Sequence, residues 1–191
     1  PKTTQMKNSI IAILIGALIL FVYQALAWMV LPVHANSHKY TATEDSLLAA
    51  MNGLEEGVYY LPGTPPNIGK SEAQKLHENN VGKPWAMLYY HENLEMNMGK
   101  SMGLGFLIDL IAVALTVRLI QLGNITGKSN ILRATMVIAF IIVFSSAMMN
   151  WNWFSTPWHY LTGEILDHLI GGLLLGLWLG FILGRKPKAA N

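Results

Sequence analysis

Residues Ile10 to Leu31 run without a single charge, and Gln24 is the one strongly polar member. A bilayer core about 30 Å thick is crossed by about 20 apolar residues as helix, because no water is there to satisfy an open backbone. Lys2 and Lys7 precede the run as they would in a secretory signal, but the run is too long for a signal's apolar stretch. It reads as an uncleaved anchor. Three more apolar runs follow. Met102–Leu122 is interrupted by Asp109 and closed by Arg118, and Ile131–Asn150 has Arg133 near its start. Gly163–Gly184 carries Glu164, Asp167 and His168 in its first turns.

Composition agrees. Hydrophobic residues make up 52% and charged residues 13%, about half of the roughly 25% charged residues of a soluble domain. Such a chain cannot cover itself with charge, so buried core helices of a soluble protein are the weaker reading. A net charge of +2 leaves no basic footprint for nucleic acid. The absence of cysteine excludes disulfides, zinc–thiolate sites, iron–sulfur clusters and thiol catalysis by this chain.

Charge placement orients the spans. Lys2 and Lys7, then Lys128 and Arg133, then Arg185, Lys186 and Lys188 fall on one side of a four-span bundle, in segments that hold no acid. That side is expected to be the cytoplasm of a bacterium, with the chain in its inner membrane. The sequence therefore divides into a cytoplasmic N-terminus and first span (1–31), an extracytoplasmic segment (32–100), a second span (101–122), and a cytoplasmic loop (123–130). A third span (131–150), an aromatic outer loop (151–162), a fourth span (163–184) and a basic cytoplasmic tail (185–191) complete it. The expected fold is an all-α polytopic membrane protein of four transmembrane helices, with a small α/β insertion between the first and second. Trp28, Trp151, Trp153, Trp158 and Tyr160 form the aromatic belt of the outer boundary.

The 32–100 segment has five lysines against eight acids. Thr41-Ala42-Thr43-Glu44 reads as a capping box opening a helix that Gly57 ends. Val58–Leu61 is a strand candidate, Ser71 caps a short helix through Asn79, and Trp85–Tyr90 is a second strand candidate. So small a segment is expected to lean on the spans or on a partner.

Gly172, Gly176, Gly180 and Gly184 stand four apart on the fourth span. Such a row lets another backbone approach closely. It serves packing within the chain, or it docks a helix of another membrane subunit. Ala12 with Gly16, and Ser101 with Gly105, are smaller pairs of the same kind.

Polar groups inside the spans converge in depth. Asp109 falls roughly 13 Å below the outer surface at about 1.5 Å per residue. Glu164, Asp167, His168, Ser145, Ser146, Asn150 and Gln24 belong to the same outer third. Charged groups at membrane depth cost about 3 kcal/mol each at a helix centre on insertion scales and call for partners. Three carboxylates with no basic residue at that depth call for a metal ion, shared protons or a partner's base. The plainer alternative makes Glu164 and Asp167 helix-start acids and gives Asp109 a hydrogen bond to Ser146 or His168.

His34 and His38 stand four apart just beyond the first span and could join a divalent metal. His91, Met96, Met98 and Met102 offer imidazole and thioethers, the donor set of copper(I). No nucleophile elbow, zinc-protease, phosphate-loop or dinucleotide signature occurs. The leading expectation is a non-catalytic accessory subunit of a larger membrane complex, of respiratory or metal-dependent oxidase type. The alternatives are a metal-binding or proton-relaying protein built on the outer polar cluster, and a small enzyme acting on a lipid or quinol.

Overall fold

The computed structural model describes residues 2–184, with side chains from Met6 onward. The basic tail 185–191 and the Lys2 side chain, both used above for orientation, lie outside the described residues. The described elements are α1 (Lys2–Met29), α2 (Glu44–Ala50), β1 (Gly57–Leu61), α3 (Lys70–Asn80), β2 (Ala86–Tyr90), α4 (Met98–Leu122), α5 (Lys128–Ser145), α6 (Ala147–Phe154) and α7 (Trp158–Leu183). A single 3₁₀ turn, Pro32–His34, follows α1. Four stretches are long and apolar enough to cross a membrane: Met6–Met29, Met98–Leu122, Lys128–Phe154 and Trp158–Leu183.

The chain divides into two compact units. Tyr40–Met96 is the smaller. Its two strands pair antiparallel, from Gly57 opposite Tyr90 to Leu61 opposite Ala86. Its helix–strand–helix–strand order is the one the sequence predicts, but the first helix begins and ends differently. Thr43 is the residue before α2 and its side chain caps nothing; its hydroxyl meets that of Thr41 instead. The helix closes at Ala50, where Gly53 with φ +88° makes the turn, and Gly57 opens β1.

The larger unit is a bundle of these four candidate spans. α7 packs against both α1 and α5, α1 packs against α4, and α4 and α5 make little contact of their own. Asn97 caps α4 by accepting a hydrogen bond from the Lys100 amide. Between α4 and α5 the turn passes through left-handed Asn124 and Gly127. The third span is interrupted at Ser146. The Ser145 hydroxyl donates to the Ile141 carbonyl at 2.6 Å, a side-chain bond that competes with the helix ladder, and α6 restarts after Ser146.

The aromatic loop expected at 151–162 is much shorter. Trp151 to Phe154 continue the helix, Ser155 stops it with φ +47°, and α7 begins right after Pro157. Proline starts a helix well because its fixed φ suits the first turn and its missing N–H is not needed there. Glu164, Asp167 and His168 thus lie in the second and third turns of α7, below the helix start.

Ala12, Ala17, Val113, Val117, Ile120, Ile131, Leu175 and Leu179 form one buried apolar cluster toward the end where α4 turns into α5, called here the Lys128 end. The opposite end, with Trp28 and Trp158, is the tryptophan end. Gln121 on α4 donates to the Ser9 hydroxyl of α1, pinning the Lys128 end.

Candidate functional site

The glycine row of α7 is filled from within the chain. A Cβ on Gly172 would stand 2.7 Å from Cβ of Ala139, and one on Gly176 would strike the Thr135 hydroxyl and Leu132. One on Gly180 would lie 3.1 Å from the Lys128 carbonyl oxygen, and one on Gly184 would lie 2.8 Å from the Lys128 amide. All of these neighbours belong to α5. The small residues let α5 settle onto α7, so the surface read as a possible seat for a partner's helix is already covered. Gly16 does the same for α1 against Val113 and Leu175, whereas Gly105 has nothing within 4 Å.

Nearer the tryptophan end the spans part around a cavity of about 230 Å³. Every span contributes to its wall: Tyr23 and Gln24 from α1, Asp109 and Thr116 from α4, Thr135 and Ile142 from α5, Asp167 and His168 from α7. Of the polar groups the sequence places at one depth, Gln24, Asp109, Asp167 and His168 line this space, and Glu164, Ser145, Ser146 and Asn150 do not.

Two carboxylates dominate it. Asp109 is 4% exposed. Its Oδ1 accepts from the Gln24 amide at 3.1 Å, and its Oδ2 is buried with no hydrogen-bond partner among the described residues. Gln24 therefore takes the place expected for Ser146 or His168. Asp167 is fully engaged. Its Oδ1 accepts from the Tyr23 hydroxyl at 3.1 Å, and its Oδ2 lies 2.8 Å from Nε2 of His34.

His34 is held on every side. Its Nδ1 lies 3.2 Å from the Ser37 hydroxyl, and its ring stacks on Trp28 at 3.8 Å with 7° between planes. Gly163 makes the room: a Cβ there would stand 2.6 Å from Nδ1. Pro32 starts the tight turn that folds His34 back over the end of α1. A continuous chain results, from Ser37 through His34 and Asp167 to Tyr23, buried at one end and lining the cavity at the other.

The other expected metal ligands stand apart. His38 is exposed and contacts Trp28 and Tyr160 through ring faces and edges. Glu164 is half-buried and lies outside the cavity wall. His91 is exposed beside Glu56 at 3.5 Å, and Met96 and Met98 are exposed as well. Among the described residues, no group of three His, Asp or Glu side chains comes close enough to hold a metal ion. The cause is local: Asp167 turns toward His34 and Tyr23, and Asp109 turns toward Gln24.

Five residues of this arrangement escape a reading of the sequence. Tyr23 and Gly163 look like ordinary span residues, and Ser37 like a loop serine. Thr116 and Thr135 are conspicuous only as polar members of apolar runs. Their hydroxyls donate to the carbonyls of Ala112 and Leu132 on their own helices. With those protons committed, what the two threonines turn to the cavity is acceptor capacity, as Asp109 does. The cavity wall therefore offers acceptors at Asp109, Thr116 and Thr135, beside the His168 imidazole. No protein-family model, no curated protein and no solved structure matches this chain.

Proposed function

We propose that the protein is a membrane-embedded binding protein whose ligand is a small molecule bearing hydrogen-bond donors, held against Asp109. The observation that carries this reading is the buried, unpartnered Oδ2 of Asp109 in the cavity wall. A buried acceptor left unsatisfied costs about 1–3 kcal/mol. With Asp109 held as the carboxylate, a donor on a ligand recovers that cost, and an apolar or acceptor-only molecule does not. The chain from Tyr23 through Asp167 and His34 to Ser37 gives the cavity a route for a proton toward the tryptophan end. In the orientation expected from the charges, that end faces outward from a bacterial inner membrane.

This reading develops the proton-relay alternative rather than the accessory-subunit one. The accessory-subunit reading rests on three features, the glycine row, the lack of a catalytic signature and the small outer segment, and α5 occupies the first of them. The test is thermal unfolding of the protein in lipid nanodiscs with added decanol, decylamine and a decyl-substituted benzoquinol, against decyl methyl ether as acceptor-only control. A ligand at about 100 times its Kd stabilises by about 2.7 kcal/mol. The donors are expected to raise the unfolding midpoint of the natural protein and to leave Asp109→Leu unmoved. An equal rise in Asp109→Leu, or a rise with none of the donors, overturns the proposal.

A further inference from the structure

We infer that the ligand reaches Asp109 sideways from the bilayer, through the gap between α4 and α5, and is an apolar molecule with a hydroxyl head. This rests on the cavity being a ligand site and adds to it a route and a ligand class. Three observations converge. α4 and α5 are the neighbouring pair of spans that scarcely pack, yet both line the cavity. Two lining residues on that side, Ala112 and Ile142, are exposed. Gly105, one turn from Asp109 on the same face of α4, has open space where a Cβ would stand.

The surroundings of this opening are apolar. Ile108 on α4 and Ile141 and Phe144 on α5 are all more than half exposed. Such a mouth meets hydrocarbon, so what passes it is lipid-soluble. The volume sets the size of the head. A cavity of about 150 Å³ admits benzene, so 230 Å³ admits a substituted ring or the head of a lipid alcohol. The acceptors at Asp109, Thr116 and Thr135 select a head that donates. A hydroxyl crosses hydrocarbon more cheaply than an ammonium or a metal ion. The alkyl tail then lies in the gap between α4 and α5.

Carboxyl labelling tests the route without a known ligand. In native membranes, apolar dicyclohexylcarbodiimide is expected to modify Asp109, read by peptide mass spectrometry. A cationic, water-soluble carbodiimide is expected to be much slower, although exposed Gln24 rims the site. Gly105→Leu is expected to slow the apolar reagent several-fold. Gly103→Leu, equally free of neighbours but on another face, is expected not to. Equal rates for the two reagents, or for the two leucine variants, overturn the lateral route. An Asp109 that reacts only after purification means that another protein's helix covers the gap, and overturns it too.

Competition then tests the ligand class. Decanol or the decyl benzoquinol is expected to protect Asp109, and decyl methyl ether is not. Protection by the benzoquinol alone identifies a ring-borne hydroxyl; protection by decanol alone identifies a lipid alcohol. Equal protection by the ether, or protection by neither hydroxyl compound, overturns the class. A thermal response lost in Asp109→Leu beside negative labelling results would leave the binding site standing and remove only the route.

Discussion

Asp109 and Asp167 lie at similar depth, line the same cavity and have opposite fortunes. Asp167 spends both oxygens on Tyr23 and His34, whereas Asp109 spends one on Gln24 and keeps the other unpaired in a buried place. They should respond oppositely to removal. Replacing a buried, half-satisfied acceptor together with its one partner by apolar side chains of similar size is neutral or favourable. Asp109→Leu combined with Gln24→Leu is therefore expected to keep or raise the thermal midpoint of the ligand-free protein while abolishing its response to donors. A clear loss of stability would mean that Oδ2 is satisfied within the chain. His34→Ala strips the partner from Asp167 Oδ2 and the stack from Trp28, and is expected to cost about 1–3 kcal/mol. His34→Gln keeps an N–H near that oxygen and should recover part of the loss. Equal stability for all three would remove the chain from Ser37 to Tyr23 as a structural unit.

At the scale of elements, the apolar period of four spans is legible in the sequence because charges are excluded from about 20 residues at a time. The fate of the glycine row is not. Spacing tells that a face is bare, but not which backbone comes to it. Here α5 comes, and its own small residue Ala139 meets Gly172. Gly172→Ala is expected to cost about 1–3 kcal/mol through overpacking, outweighing the gain of about 1 kcal/mol in helix propensity. Adding Ala139→Gly should restore most of that loss, although Ala139→Gly alone destabilises. Strict additivity of the two, measured by unfolding in detergent, would contradict the direct contact. The boundary of the fourth span also escaped the pattern. Trp151–Phe154 look like interfacial loop, yet Ser155 and Pro157 decide where the turn falls. That shift carries Asp167 below the helix start, where it meets His34 instead of the first-turn amides.

For the whole molecule, depth was legible and pairing was not. Reading along each span puts Gln24, Asp109, Asp167 and His168 at one height. Which of them meet depends on helix rotation, which a chain of nearly uniform apolarity scarcely encodes. His34 is the clearest case: its contact with Asp167 spans more than half the chain and needs a glycine at 163 to exist. Sidedness can be tested directly, because the chain has no cysteine. A membrane-impermeant maleimide applied to intact cells is expected to label Asn93→Cys and to spare Ser129→Cys until the cells are broken. The reverse pattern would invert the bundle. The account as a whole turns on whether the cavity beside Asp109 holds a ligand in the protein's own membranes. Native mass spectrometry of the chain released in mild detergent measures this most directly, with Asp109→Leu alongside. The expected result is a single small-molecule adduct on the natural protein that the variant lacks. A bare chain, or the same adduct on both, would contradict it.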